Sequence, residues 1–175
     1  FDYLWDSWNQ VEIKSKQKGH SYFVTHKFIG ESISYKELTK REFLKPIANK
    51  YIDIKIKTPI SFKSNGIYLN WPELQILVRN LCNRLNACSY DMTFDDKEII
   101  DFLANSVALG FYKLNSTRFD LEGTFIPAAQ GNFSLRLTGN DMAKRWMSLL
   151  LEFAMYAGIG VKTAMGMGGI DAKGH

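Results

Sequence analysis

Residues 141–170 read DMAKRWMSLLLEFAMYAGIGVKTAMGMGGI, a helical pattern that runs into two Gly-apolar-Gly pairs. In the first half of this stretch the polar side chains form one stripe and nearly all others are apolar, which is typical of a helix packed on a core. The two pairs, at 158–160 and 166–168, flank a five-residue segment that contains Lys162. Because glycine adopts positive φ and lets another backbone come close, we expect a loop that makes its contacts through its main chain.

The position of this loop after a helix narrows its meaning. Loops that cradle the phosphates of a nucleotide precede a helix and use the positive end of its dipole. A loop at a helix C-terminus lacks that dipole, which argues against a mononucleotide or dinucleotide site. The simplest alternative is a helix-to-strand turn with Gly158 as the C-cap. Two spaced pairs with a lysine between them are more than such a turn requires.

Upstream of this loop, the chain alternates strands and helices. Residues 51–57 alternate apolar and polar side chains and predict a strand, and residues 74–85 and 98–107 carry helical apolar stripes. Extended segments follow, with a turn expected at Gln130-Gly131-Asn132 and a strand over 133–138. The order strand, helix, strands, helix, strand predicts an α+β, ferredoxin-like domain over 46–175, with helices on one face of an antiparallel sheet.

These residues resemble a known family, the CRISPR repeat-processing endoribonucleases (Cas protein six) of the RAMP superfamily. The resemblance is most specific at Gly158, Gly160, Gly166 and Gly168 with Lys162 between them, which match the family's glycine-rich loop. Weaker features support it through their order along the chain: the strand and turn Thr58–Phe62 with Gly66 and Pro72, the helix ending Arg84–Asn86, and the hairpin from Gly123–Phe125 to Phe133–Leu137.

The resemblance implies a fold and a domain organisation. Residues 46–175 would be an RRM-like RAMP domain that contains the glycine-rich loop 158–168. The family has two such units in tandem, so residues 1–45 would be the second half of a preceding ferredoxin-like domain. The opening half of that domain would lie outside these residues.

The resemblance also implies an activity: binding and metal-independent cleavage of CRISPR repeat RNA, giving a cyclic phosphate and a 5′-hydroxyl, without a cofactor. The four glycines, Lys162 and Arg136 would contact the RNA. The family's usual catalytic histidine lies in the opening half of the first unit, which leaves His20 and His26 as the candidates for acid/base chemistry in this chain. Other CRISPR-associated proteins, or fused reverse transcriptase and integrase domains, would be further partners.

Composition agrees with an RNA partner and sets further limits. The net charge is +4, and residues 1–63 carry 12 Lys/Arg against 7 Asp/Glu. This local basic excess favours an anionic partner, although a solvated basic face would look the same. No apolar run is long enough for a membrane span. The two cysteines, Cys82 and Cys88, have neither metal-ligand spacing nor a disulfide framework, so we expect a cytoplasmic protein.

Two other functions fit the same residues. A non-catalytic RNA-binding subunit of the superfamily would keep the loop and lack the acid/base pair. An unrelated ferredoxin-like interaction domain would have no affinity for RNA, since this fold supports many functions. Two arginines of the helix over 74–85, Arg79 and Arg84, share its polar side and are interpreted as structural.

Overall fold

The chain forms two compact units, Phe1–Ile33 and Ser34–His175. A computed structural model describes residues 12–14, 21–23, 33–46, 50–71, 73–88, 94, 96–121 and 123–175. In the first unit, β1 (Glu12–Lys14) and β2 (Ser21–Phe23) pair antiparallel. The expectation that residues 1–45 are half of a ferredoxin-like domain stays a prediction.

A four-stranded antiparallel sheet organises the second unit. Its strands are β3 (Tyr51–Ile56), β6 (Val107–Leu121), β7 (Thr124–Leu137) and β8 (Ile170–Gly174), in the spatial order β6-β7-β3-β8. A small hairpin of β4 (Phe62–Ser64) and β5 (Ile67–Leu69) follows β3. The strand order, with one helical segment after β3 and another after β7, is that of a ferredoxin-like fold, which confirms the predicted fold class.

The described part of this unit contains four α-helices, three of which begin at a residue with a capping side chain. The four helices are α1 (Tyr35–Leu44), α2 (Leu74–Cys88), α3 (Lys97–Asn105) and α4 (Asp141–Ala157). Ser34 and Glu37 form a reciprocal capping box at the start of α1, and the Asn140 side chain accepts a hydrogen bond at the start of α4. Shortly before α2, the Asn70 side chain donates to Ser116 Oγ at 3.0 Å.

The core lies between the sheet and the helices α2, α3 and α4. Strand β3 shows strict alternation, with Ile52, Ile54 and Ile56 buried and the residues between them exposed. They form one apolar cluster with inward residues of β7 and with the buried stripes of the helices. Burial of one sheet face and one stripe of each helix explains why the alternation and the helical periodicity were both readable in the sequence.

The hairpin of β6 and β7 corrects one prediction. A turn at Gln130-Gly131-Asn132 is wrong, because β7 runs without interruption through these residues and the reversal lies just before Thr124. Gly131 has φ +135°, and a Cβ there would overlap the carbonyl oxygen of Lys113 on β6. This glycine therefore serves a close strand-to-strand approach and not a chain reversal.

Helix α1 packs on α4 and belongs to the second unit. Arg41 of α1 pairs with Glu152 of α4. Arg145 of α4 donates to the carbonyl oxygens of Phe43 and Lys45, which are orphaned at the end of α1. These contacts place α1 in the same unit as the sheet. The sequence predicted a boundary between residues 45 and 46, which would have separated α1 from this unit.

Candidate RNA-binding site

The glycine-rich loop, residues 158–168, begins where α4 ends. Gly158 is the C-cap of α4 with φ +72°, and its N–H donates to the carbonyl oxygen of Ala154 at 2.7 Å. The expected C-cap role is therefore correct, and left-handed backbone at a helix end is where glycine is favoured.

Backbone hydrogen bonds attach both arms of the loop to the segment after β3. The N–H of Val161 donates to the carbonyl oxygen of Ser61 at 2.8 Å, and the N–H of Gly168 donates to that of Pro59 at 3.0 Å. A Cβ on Gly160 would overlap the Ser61 carbonyl oxygen. Only glycine permits this approach, because any side chain would push the two backbones apart.

The two arms are also joined to each other, which closes the loop. The N–H of Ile159 donates to the carbonyl oxygen of Gly168 at 2.9 Å. Between the arms, Thr163–Met165 form one 3₁₀ turn, preceded by Lys162 in the left-handed conformation at φ +58°. A lysine in this conformation is uncommon, and such local strain persists only where its surroundings fix it.

Only the tip of the loop faces solvent. Lys162, Ala164, Met165 and Gly166 are exposed, whereas Gly158, Gly160 and Gly168 are buried. In this conformation the buried glycines shape the loop and are not accessible to a ligand. Of the loop residues predicted to contact RNA, Lys162 and Gly166 are the accessible ones. Burial follows from the backbone hydrogen bonds that the glycines make possible.

Helix α2 supports the loop from inside. The Arg84 side chain donates from Nη1 to the carbonyl oxygen of Ala157 at 3.1 Å and to Thr163 Oγ1 at 2.8 Å, and from Nη2 to the carbonyl oxygen of Gly160. Burial lowers the pKa of the Arg84 guanidinium below its ordinary value. These contacts agree with the structural role predicted for Arg84.

A satellite apolar cluster couples the loop to the hairpin of β6 and β7. Met167 is buried against Ile126 and Ala128 of β7, with Tyr68, Phe119 and Leu121 packed around them. Sequence reasoning missed this cluster, although the apolar residue between Gly166 and Gly168 was its signal. Two cation–π pairs lie on elements that contribute to the cluster: Lys63 with Tyr68 at 5.2 Å, and Arg118 with Phe125 at 4.5 Å.

Arg136 is exposed but lies away from the loop. It pairs with Tyr51 at the start of β3, whereas the loop is attached to residues 58–61 beyond the end of that strand. The rise of a strand separates the two places by roughly 20 Å. The structure therefore does not bring Arg136 together with Lys162 in one site.

The candidate catalytic histidines, His20 and His26, lie outside the described residues. His175 is described: it stacks on Tyr51 with ring centroids 5.8 Å apart, and its Nδ1 is 3.7 Å from an Asp53 carboxylate oxygen. In the part of the chain that the structure describes, no group of three or more His, Cys, Asp or Glu side chains could hold a metal ion.

Comparison with known proteins places this site in a family. A family model described as CRISPR-associated endoribonuclease Cas6 matches residues 54–170, which includes β6, β7, α4 and the whole glycine-rich loop. The chain belongs to the Cas6 family. This confirms the resemblance seen in the sequence.

The chain is also similar to individual members of the Cas6 family. The chain is 29% identical over 123 residues to a CRISPR-associated endoribonuclease Cas6 of Streptococcus thermophilus, which covers 70% of this chain and 51% of that protein. The chain thus spans about half the length of this curated relative. Among solved structures, a Cas6 product complex has the same fold, with a TM-score of 0.78 at 19% identity over 99% of this chain and 71% of that one.

One further structure shares the fold within a much larger chain. It is a Cas6-RT-Cas1–Cas2 complex, with a TM-score of 0.58 at 14% identity. The match covers 92% of this chain and 17% of that one.

Proposed function

We propose that this chain binds CRISPR repeat RNA and takes part in its metal-independent cleavage to mature CRISPR RNA. The observation that carries the proposal is the glycine-rich loop of a Cas6 family member, which presents Lys162 at an exposed tip on a rigidly bonded base. A lysine in this position supplies a compact positive charge for a phosphate. Such a contact positions the RNA and does not read its sequence.

The elements that touch the loop supply chemistry suited to single-stranded RNA. Lys63 and Tyr68 lie on the β4–β5 hairpin, and Arg118 and Phe125 on the β6–β7 hairpin. Phe125 is 58% exposed, and the Arg118 guanidinium lies over one face of its ring. Aromatic rings stack on unpaired bases and neighbouring cations bind the backbone. We propose that RNA extends from the loop tip across these two hairpins.

The proposed reaction is an attack of a ribose 2′-oxygen on the adjacent phosphorus. The 2′-O–P bond forms while the P–O5′ bond breaks, giving a cyclic phosphate and a free 5′-hydroxyl. A base must take the proton of the 2′-hydroxyl and an acid must give one to O5′. His20 and His26 remain the proposed candidates in this chain for these proton transfers, while Lys162 holds the RNA in place.

Cleavage of end-labelled repeat RNA from the source's own array, by the longest natural protein that contains this chain, tests the proposal. In EDTA we expect a discrete cut and a product with a cyclic phosphate. Affinity should fall as salt rises, because phosphate contacts release counterions. A shifted but uncut RNA would favour the non-catalytic RNA-binding subunit, and neither shift nor cut would contradict both functions.

Lys162→Asn is the matched variant, because asparagine tolerates the left-handed backbone and carries no charge. We expect weaker RNA binding, and a slope of log affinity against log salt that falls by about 0.7, the value for one phosphate on a single strand. Lys97→Asn, at an exposed lysine that begins α3, is the control and should leave both quantities unchanged. Equal effects of the two variants would show that Lys162 contributes only general charge.

We further propose that the protein acts in the cytoplasm with other CRISPR-associated proteins. Cys82 and Cys88 are both free thiols, as is usual in a reducing compartment. No helix in the described part of the chain is long and apolar enough to cross a membrane. The shared fold with part of a Cas6-RT-Cas1–Cas2 chain suggests fused reverse transcriptase and integrase domains as one form of this partnership. Purification of the natural protein with its bound partners tests it.

A further inference from the structure

The Arg84 guanidinium contacts the glycine-rich loop from α2. It is half-buried on α2, and no Asp or Glu among the described residues forms an ion pair with it. Its hydrogen bonds go to oxygens of neutral groups, on Asn80, Ala157, Gly160 and Thr163. Burial of a charged group is costly unless it is hydrogen-bonded, so these hydrogen bonds compensate the partial desolvation of the Arg84 guanidinium.

The acceptors of Arg84 belong to three separate parts of the loop region. The carbonyl oxygen of Ala157 ends α4, that of Gly160 lies in the buried first arm, and Thr163 Oγ1 opens the 3₁₀ turn at the tip. Only a planar group with several fixed donors bonds all three at once. A lysine has one nitrogen and does not reproduce this arrangement.

Asn80, one turn before Arg84 on α2, completes the arrangement. Its Oδ1 accepts from the N–H of Gly160 at 2.8 Å, and its Nδ2 donates to the carbonyl oxygen of Gly160 at 3.4 Å. Asn80 Oδ1 is also 3.4 Å from Arg84 Nε. Both polar groups of the Gly160 backbone are thereby bonded to side chains of α2.

We propose that Arg84 and Asn80 are positioning residues that hold the loop tip for RNA. The inference rests on the proposed function, since it assumes that Lys162 contacts a phosphate. Neither residue touches RNA. They fix Gly160 and Thr163 on either side of Lys162, so the Lys162 backbone stays in its left-handed conformation. The fixed backbone determines the direction in which the Lys162 side chain leaves the loop.

Arg84→Met and Arg84→Lys, made in the natural protein, separate positioning from charge. Both variants should accelerate amide hydrogen exchange in residues 158–168 without RNA, and both should weaken repeat-RNA binding by roughly 10- to 100-fold, as misplaced binding groups do. The slope of log affinity against log salt should fall by at most about 0.7, because the phosphate contact that depends on Arg84 is the one made by Lys162. Arg79→Met, at an exposed arginine of the same helix, is the matched control and should change none of these.

Three results would overturn the inference. The first is normal affinity in Arg84→Lys, which would assign the effect to charge. The second is a salt slope that Arg84→Met lowers further, by about 0.7, in the Lys162→Asn background, which would make Arg84 a direct phosphate contact. The third is unchanged exchange of the loop amides. If Arg84→Met does not fold, Thr163→Val removes one acceptor and should raise loop exchange by itself. If the unmodified protein binds no RNA, the proposed function fails, and the exchange measurement still decides whether Arg84 holds the loop.

Discussion

At the scale of single residues, Gly160 and Gly166 share a left-handed backbone and differ in their surroundings. Their φ values are +80° and +91°, but a Cβ on Gly160 would overlap the Ser61 carbonyl oxygen, while one on Gly166 would meet open space. Gly166→Ala should lower the free energy of unfolding by about 1–2 kcal/mol, the cost of the backbone conformation alone. Gly160→Ala should cost more than about 2 kcal/mol, since it adds the overlap to this strain.

Urea unfolding of the two alanine variants measures this difference. Equal losses would mean that the first arm of the loop can move away from Ser61, contrary to the hydrogen bond from the Val161 N–H to the Ser61 carbonyl oxygen. The sequence marked both glycines, because glycine pairs around a lysine are visible without a structure. It did not distinguish them, because the close approach of Gly160 depends on a segment about 100 residues earlier in the chain.

At the scale of elements, α2 places its two cysteines in opposite environments. Cys82 is buried on the apolar stripe, where desolvation raises its pKa to about 11, and Cys88 is exposed at the helix end. At pH 8 a thiol reagent should therefore react quickly with one cysteine, and with the second only after unfolding. Cys88→Ser should abolish the fast phase, and two equally fast phases would contradict the packing of α2.

Cys82 also makes the free energy of unfolding depend on pH in a defined direction. The folded-state pKa of Cys82 is raised, so the unfolded chain releases this proton first as pH rises. The contribution of Cys82 to stability is complete below pH 9 and is lost as pH rises from about 9 towards 11. Cys82→Ala should be less stable at neutral pH and should lack this part of the alkaline decline in unfolding free energy.

Elements with a clear period were predictable and the long hairpin was not. The alternation of β3 and the stripes of α2 and α4 follow from burial of one face, which any reader of the sequence can detect. In β7, Gly131 lies between polar neighbours and looks like a turn. Its use for a close approach to Lys113 becomes visible only when β6 lies beside it. The contacts of Arg84 with the glycine-rich loop were not predictable either, because they depend on the packing of α2 against a segment more than 70 residues later in the chain.

At the scale of the whole molecule, the ferredoxin-like topology was predictable from the order of elements, whereas the limits of the second unit were not. The sequence predicted a division of the chain into residues 1–45 and 46–175. The structure groups Ser34–His175 together, because Leu38 of α1 is 2% exposed and Arg145 of α4 bonds the end of α1. Helix α1 is short and has few apolar residues, so its sequence gives little indication that it packs on α4.

Two fragments, 33–175 and 46–175, test whether α1 is part of the second unit. The shorter one loses the burial of Leu38, which contributes about 1.5–3 kcal/mol, and leaves the Arg145 guanidinium without its two carbonyl acceptors. We therefore expect fragment 46–175 to unfold at a lower urea concentration. Leu38→Ala in the longer fragment should reproduce most of the loss, because a buried leucine truncated to alanine costs about 2–5 kcal/mol. Equal midpoints of the two fragments would show instead that α1 adds nothing to the second unit and that this unit begins at residue 46.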